Sequence, residues 1–154
     1  MKRRTLLKGS VAAGAVAAAA GAGLLTPRLV LAAWPSKAFE AEKVDVALDD
    51  LLGGHDMESS DKISIRAPDI AENGAVVPVS VTAEYPKAES ISIVAEKNPT
   101  PLVASFKLGA DTEPFVSTRI KMGKTSNVLA VVKADGKMYS ASKEVKVTIG
   151  GCGG

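Results

Sequence analysis

Between residues 60 and 150, hydrophobic and polar residues alternate with a period of two, which is typical of β-strands with one buried face. Ile63 and Ile65 are separated and flanked by polar residues, and the valines between 77 and 81 alternate with smaller or polar neighbours. Further strand-like runs are 90–93, 102–108, 116–122, the continuous apolar run 128–132, 144–149 and, as a possible addition, 138–141. The pattern predicts about seven short strands.

A different period precedes these strands. Apolar residues recur at three- and four-residue spacing between Ala41 and Leu51, Ser36 is a suitable N-terminal cap, and a glycine pair begins at Gly53. Such spacing, bounded by a cap and by glycine, predicts a short helix over residues 37–52.

The residues between the predicted strands are typical turn formers. Asn73-Gly74 and Asp135-Gly136 are tight-turn dipeptides, and two prolines interrupt residues 98–101. Pro78 lies within a strand pattern, which predicts an edge strand or a bulge there. Many short strands at regular spacing predict an all-β fold, an immunoglobulin-like β-sandwich of about seven strands with a short N-terminal helix.

The N-terminus carries an export pattern. Arg3 and Arg4 precede a long run rich in alanine and glycine, and Ala32 or Ala33 suits cleavage by a signal peptidase. We therefore expect a twin-arginine signal, with a retained membrane anchor as the alternative. The predicted organisation is a cleaved signal at 1–33, the helix and sandwich at 34–149, and a flexible C-terminal glycine arm at 150–154.

The net charge changes sign when the predicted signal is left out. The whole chain has 19 basic and 17 acidic residues and a net charge of +2. Five basic residues and no acidic ones lie in the first 33 positions, so the remainder carries 14 basic and 17 acidic residues, a net charge of −3. Without a basic stripe or clustered aromatic residues, nothing indicates nucleic-acid binding.

Cys152 is the only cysteine, and it lies two residues from the C-terminus. The residues on either side of it are Gly150, Gly151, Gly153 and Gly154. Glycine loses more backbone freedom on ordering than other residues, so we expect an exposed thiol on a thin arm. The arm reaches roughly 10 Å past Ile149 at ~3.3–3.6 Å per residue. No disulfide can form within the chain, which leaves a thiol that other proteins act on or an intermolecular disulfide.

Catalytic motifs, metal-ligand clusters and cofactor motifs are absent from the sequence. His55, the only histidine, follows a glycine pair and is interpreted as a solvated loop residue rather than a functional one. The chain is therefore predicted to be acted on by enzymes rather than to be one, with no cofactor and no metal.

Several sequence blocks together resemble the SoxY family of the bacterial sulfur-oxidising (Sox) system. They are the twin-arginine start, APDIAENG at 67–74, KNPTPL at 97–102, RIKM at 119–122, ADGK at 134–137 and the terminal GGCGG. Each block is weak alone, but the ordered set covers essentially the whole chain. The resemblance implies a periplasmic sulfur carrier of thiosulfate oxidation, exported by the twin-arginine pathway.

The resemblance also implies how the carrier works. Cys152 is expected to hold sulfur intermediates derived from thiosulfate. Expected partners are a SoxZ-like subunit in a heterodimer, a c-type cytochrome enzyme that oxidises the thiol, a sulfate-releasing hydrolase and, where present, a sulfur dehydrogenase. SoxZ-type subunits lack a signal, which agrees with export of an already folded pair.

Two other classes remain open at this stage. One is a structural or assembly module cross-linked through an intermolecular disulfide at Cys152. The other is a ubiquitin-like sulfur carrier, although adenylation by ATP does not fit an exported protein. Residues 98–101 and 119–121 are candidate partner-binding faces, with ordinary loop and strand-surface roles as the alternative.

Overall fold

A computed structural model describes residues 34–148 of the chain. Pro35 begins a compact unit that contains every helix and strand described below. Two helices, α1 (Ser36–Glu40) and α2 (Val44–Leu52), precede nine strands in the described residues. The strands are β1 (Glu58–Ser59), β2 (Ile63–Arg66), β3 (Ile70–Ala71), β4 (Val77–Ala83), β5 (Ala88–Ala95), β6 (Leu102–Lys107), β7 (Phe115–Ile120), β8 (Ser126–Ala134) and β9 (Lys137–Val147).

The strands form two sheets. The larger has the order β1-β9-β8-β5-β6, with β3 also paired to β9, and the smaller has the order β2-β4-β7. Alternate side chains from both sheets fill a shared core of valine, isoleucine and alanine. The predicted all-β sandwich is confirmed, with nine strands in place of about seven because β1 and β3 are only two residues long.

The outer face of the larger sheet is covered by the helices. Ala38, Ala47 and Leu48 pack there against Val94 and Val131 in a second apolar cluster. Strand β8 is therefore buried on both faces, which explains the continuous apolar run in its sequence.

The predicted helix over residues 37–52 is divided in two, because Ala41 has an extended backbone (φ −64°, ψ 135°). Ala38 and Ala47 are both buried, yet nine residues of continuous helix would turn them about 180° apart. The break lets both face the sheet. Ser36 is not the cap, since Pro35 holds that position, whereas Gly53 does end α2 in the left-handed conformation (φ 82°).

The C-terminal strand is longer than expected. The segments predicted at 138–141 and 144–149 form one strand, β9, and Ile149 lies outside the described residues. Strand β9 follows β8 through a two-residue turn in which Asp135 (φ 50°) and Gly136 (φ 73°) both have positive φ, as the dipeptide predicts. Because β8 pairs along almost the whole of β9, the two segments have no reason to separate.

Pro78 lies in β4, the middle strand of the smaller sheet, and not in an edge strand as predicted. It pairs with Arg119 of β7. On the other side, pairing with β2 ends at Ser80, so the residue without an N–H lies beyond the end of that strand.

Candidate functional site

The predicted site residues lie outside the described part of the chain. These residues are Cys152, its flanking glycines Gly150, Gly151, Gly153 and Gly154, and the export pair Arg3 and Arg4. The last described residue is Thr148, four positions before Cys152. The structure therefore describes the base from which the predicted arm extends.

One edge of this base is held by β3. This strand runs parallel to the end of β9, pairing Ile70 with Lys146 and Ala71 with Val147. The Lys146 amide donates to the Asp69 carbonyl at 2.9 Å, and the Thr148 amide donates to the Ala71 carbonyl at 3.2 Å. The backbone is thus paired on this edge as far as Thr148.

The Thr148 side chain adds a further contact, since its hydroxyl donates to the Glu72 carbonyl at 3.2 Å.

The opposite edge is held by a side chain. Backbone pairing between β8 and β9 ends where Ser126 meets Val145. Beyond that point, the Thr125 hydroxyl accepts from the Val147 amide at 2.9 Å and donates to the Val147 carbonyl at 3.4 Å. A hydroxyl can do both, because it carries one donor and two acceptor lone pairs. Thr125 therefore continues the β8 ladder by one residue.

A lysine secures the segment that leads into β3. The Lys143 ammonium donates to the Ala67 carbonyl at 2.7 Å and lies 3.0 Å from the Asp69 carboxylate. The ion pair itself contributes little because Asp69 is largely exposed. Farther along, the Met122 amide donates to the Gly74 carbonyl at 2.7 Å. The block at 67–74, which the sequence marked only by resemblance, thus helps to hold the end of β9, from which the predicted arm extends.

The two candidate partner-binding faces, 98–101 and 119–121, meet at one end of the sandwich. The Asn98 side-chain amide joins them: its Nδ2 donates to the Lys121 carbonyl at 2.7 Å and its Oδ1 accepts from the Gly123 amide at 3.0 Å. An open cavity of about 680 Å³ lies between them. Spacing along the chain could not have revealed this contact, since it joins different sheets.

His55 lies on the surface and hydrogen-bonds Asp49, with 2.7 Å between Nδ1 and Oδ1. This hydrogen bond, reinforced by the negative charge of Asp49, raises the pKa of His55 above its usual 6.5. Within residues 34–148, no group of three or more potential metal-ligating side chains is found. No helix in that range is long and apolar enough to cross a membrane.

Together the fold and the sequence define a class: a β-sandwich protein whose last strand is held on both edges shortly before a solitary, glycine-flanked cysteine. The family described as "Sulfur oxidation protein SoxY" matches residues 48–152, a range that includes Cys152. The chain belongs to the SoxY family.

A solved structure supports this assignment. The sulfur carrier protein SoxY from Chlorobium limicola f thiosulfatophilum is 48% identical, with a TM-score of 0.64, and the match covers 70% of this chain and 97% of that one. Among curated proteins, no match was found.

Proposed function

We propose that this chain is a periplasmic carrier of thiosulfate oxidation that holds sulfur intermediates covalently on the Cys152 thiol and presents them to partner enzymes. The observation that carries the proposal is the family match, which extends through Cys152. The similar Chlorobium protein, itself described as a sulfur carrier, supports it.

The chemistry follows from the thiol. Its reactive form is the thiolate, and an unperturbed cysteine with a pKa of ~8.5 has a small thiolate fraction near neutral pH. Joining the thiolate to thiosulfate forms an S–S bond and releases two electrons, which a c-type cytochrome enzyme accepts. Water then attacks the terminal sulfonate sulfur, so that sulfate and two protons leave and a persulfide anion remains on Cys152.

A covalent tether suits such a sequence of steps. The intermediates stay attached, so their effective concentration at each enzyme is set by the tether rather than by diffusion. Bare glycines beside Cys152 make the arm narrow enough to enter differently shaped clefts. A sulfur dehydrogenase, where present, would oxidise the remaining sulfane before hydrolysis restores the thiol.

The proposed assembly is a heterodimer with a SoxZ-like subunit. The twin-arginine pattern at Arg3 and Arg4 supports export to the periplasm after folding, together with a partner that lacks a signal of its own. Neither the body nor the arm is proposed to catalyse a step.

Mass spectrometry of the C-terminal peptide tests the proposal. After incubation with thiosulfate and the cytochrome enzyme, we expect the sulfur-plus-sulfonate adduct on Cys152, and adding the sulfate-releasing hydrolase should convert it to the sulfur adduct. Neither adduct should form on Cys152→Ser. Size-exclusion chromatography should show that this variant still forms the heterodimer. A purified protein in which Cys152 occurs uniformly as an intermolecular disulfide, with no adduct, would instead indicate an assembly module.

A further inference from the structure

Four cationic side chains gather around the end of the sandwich where Asn98 joins the two sheets. They are Lys97, Arg119, Lys121 and Lys124, here called the basic face. All four are exposed, and none has an ion pair with another described residue. The nearby acidic residues are Glu42, which lines the same depression, and Glu96, which accepts a hydrogen bond from Asn127. The basic face is therefore a positive region on a domain whose net charge is negative.

The backbone under these charges is held in place. Lys97 lies in the turn after β5, Arg119 lies near the end of β7, and Lys121 and Lys124 follow that strand. The Asn98 amide fastens the turn to the backbone at Lys121 and Gly123. The four cations have no ion-pair partner among the described residues and repel one another mildly. Their arrangement therefore does not contribute favourably to the free energy of folding.

An apolar floor accompanies the charges. The cavity between residues 98–101 and 119–121 is lined by the apolar residues Phe39, Leu102, Val103 and Ile120 together with Arg119 and Lys121. An apolar centre with a charged rim is the usual anatomy of a protein-binding surface, where the rim charges guide encounter and orientation.

The basic face adjoins the base of the predicted arm. Lys124 directly precedes Thr125, the residue whose hydroxyl holds Val147. Four residues lead from Thr148 to Cys152, which gives a reach of about 13 Å at ~3.3–3.6 Å per residue. An enzyme that receives the thiol in a cleft must therefore contact the carrier close to this base.

We propose that the basic face docks the acidic rim around the active-site entrance of the c-type cytochrome enzyme that oxidises the Cys152 thiol. This inference rests on the proposed function and adds the chemistry of the enzyme surface. The cations attract the rim during encounter and orient the sandwich so that the arm faces the opening. Salt weakens such contacts between exposed charges.

Steady-state kinetics with the c-type cytochrome enzyme of the same organism test the proposal, with the heterodimeric carrier as the varied substrate. Lys121→Glu/Lys124→Glu should lower kcat/KM by about tenfold or more at low ionic strength, in the range of electrostatic steering. The deficit should shrink as salt is added, while kcat at saturation stays unchanged. The matched control is Lys107→Glu/Lys137→Glu, which has the same change in charge at the opposite end of the sheet and should behave as the unsubstituted carrier.

Each result has a defined meaning. A kcat/KM equal to that of the control pair would overturn the docking proposal while leaving the carrier function in place. Loss of the heterodimer in Lys121→Glu/Lys124→Glu would also overturn it, since the face would then belong to the companion subunit. If the unsubstituted carrier gained no adduct on Cys152, the proposed function and the docking proposal would fail together.

Discussion

Thr125→Val should loosen the end of β9 without unfolding the sandwich. Valine has nearly the shape of threonine but can neither accept from the Val147 amide nor donate to its carbonyl. The substitution therefore removes two hydrogen bonds at the end of β9 and leaves the backbone pairing of Ser126 with Val145 intact.

The expected magnitude follows from the two bonds. An intramolecular hydrogen bond contributes about 0.5–1.5 kcal/mol, and the 3.4 Å bond to the carbonyl belongs at the lower end. Together they should contribute ~1–2 kcal/mol to closing the strand end, or a factor of roughly 5–30 in the opening equilibrium. The β3 side remains paired, so opening should stay confined to the residues after Val145.

Amide hydrogen exchange measured by NMR is the suitable assay, because it resolves local opening from global unfolding. The Val147 amide should exchange about 5–30 times faster in Thr125→Val, while core amides such as that of Val131 keep their rates. The control is Thr82→Val, since the Thr82 hydroxyl is exposed and makes no hydrogen bond with other described residues. Unchanged exchange at Val147 would refute the view that Thr125 holds the strand end.

Two further predictions concern the helical layer. Leu48→Ala should lower the free energy of unfolding in urea by about 2–5 kcal/mol, because Leu48 is fully buried against the larger sheet. Val46→Ala, on the exposed side of α2, should lower it far less. A similar small loss in both variants would contradict the packing. Asp49→Asn should lower the raised pKa of His55 toward 6.5 in an NMR titration, and an unmoved pKa would contradict the hydrogen bond as its cause. Since the folded pKa is raised, the stabilisation is present below about pH 6.5 and is lost as pH rises through the folded value. Asp49→Asn should weaken this pH dependence, because Asp56 and Asp45 still raise the pKa.

Local signals in the sequence predicted those elements whose causes are local. The Asp135-Gly136 turn needs two positive φ angles, and few dipeptides supply them. Gly53 ends α2 because the C-terminal cap also needs a positive φ angle, which glycine adopts readily. The alternating valines of β4 predicted its buried face, since period and strand geometry coincide.

Elements that depend on distant partners could not be predicted in this way. The break at Ala41 exists because Ala38 and Ala47 must face one sheet, which is a tertiary requirement. Strands β1 and β3 are too short for any periodicity, and each forms because it lies against β9. The Thr125 contact joins residues 22 positions apart, and an isolated threonine before a strand carries no signal of it.

The same distinction between local and distant causes applies to the candidate site. Its chemistry was predicted from Cys152 and its glycines, because reactivity and narrowness depend on residue type alone. The contacts that hold the end of β9 were not predicted, since the fold brings β3, Thr125 and Lys143 together from distant parts of the sequence. Likewise, residues 98–101 and 119–121 were predicted as two separate candidate partner-binding faces. The hydrogen bonds of the Asn98 amide show that the two faces are neighbours.

The support at the base has a consequence for how the proposed carrier would set its reach. Strand β9 pairs with β8 over most of its length, with β1 near its start and with β3 at its end, and Thr125 occupies the one edge left open at Val147. Peeling Val147 from the sheet would therefore break contacts on both edges, whereas the residues after Thr148 are mostly glycine. Under the proposed function, the reach of the thiol would then be set by the number of residues after Thr148 and not by fraying of the strand. A short reach from that base would make the proposed docking at the basic face the step on which selection among enzymes depends.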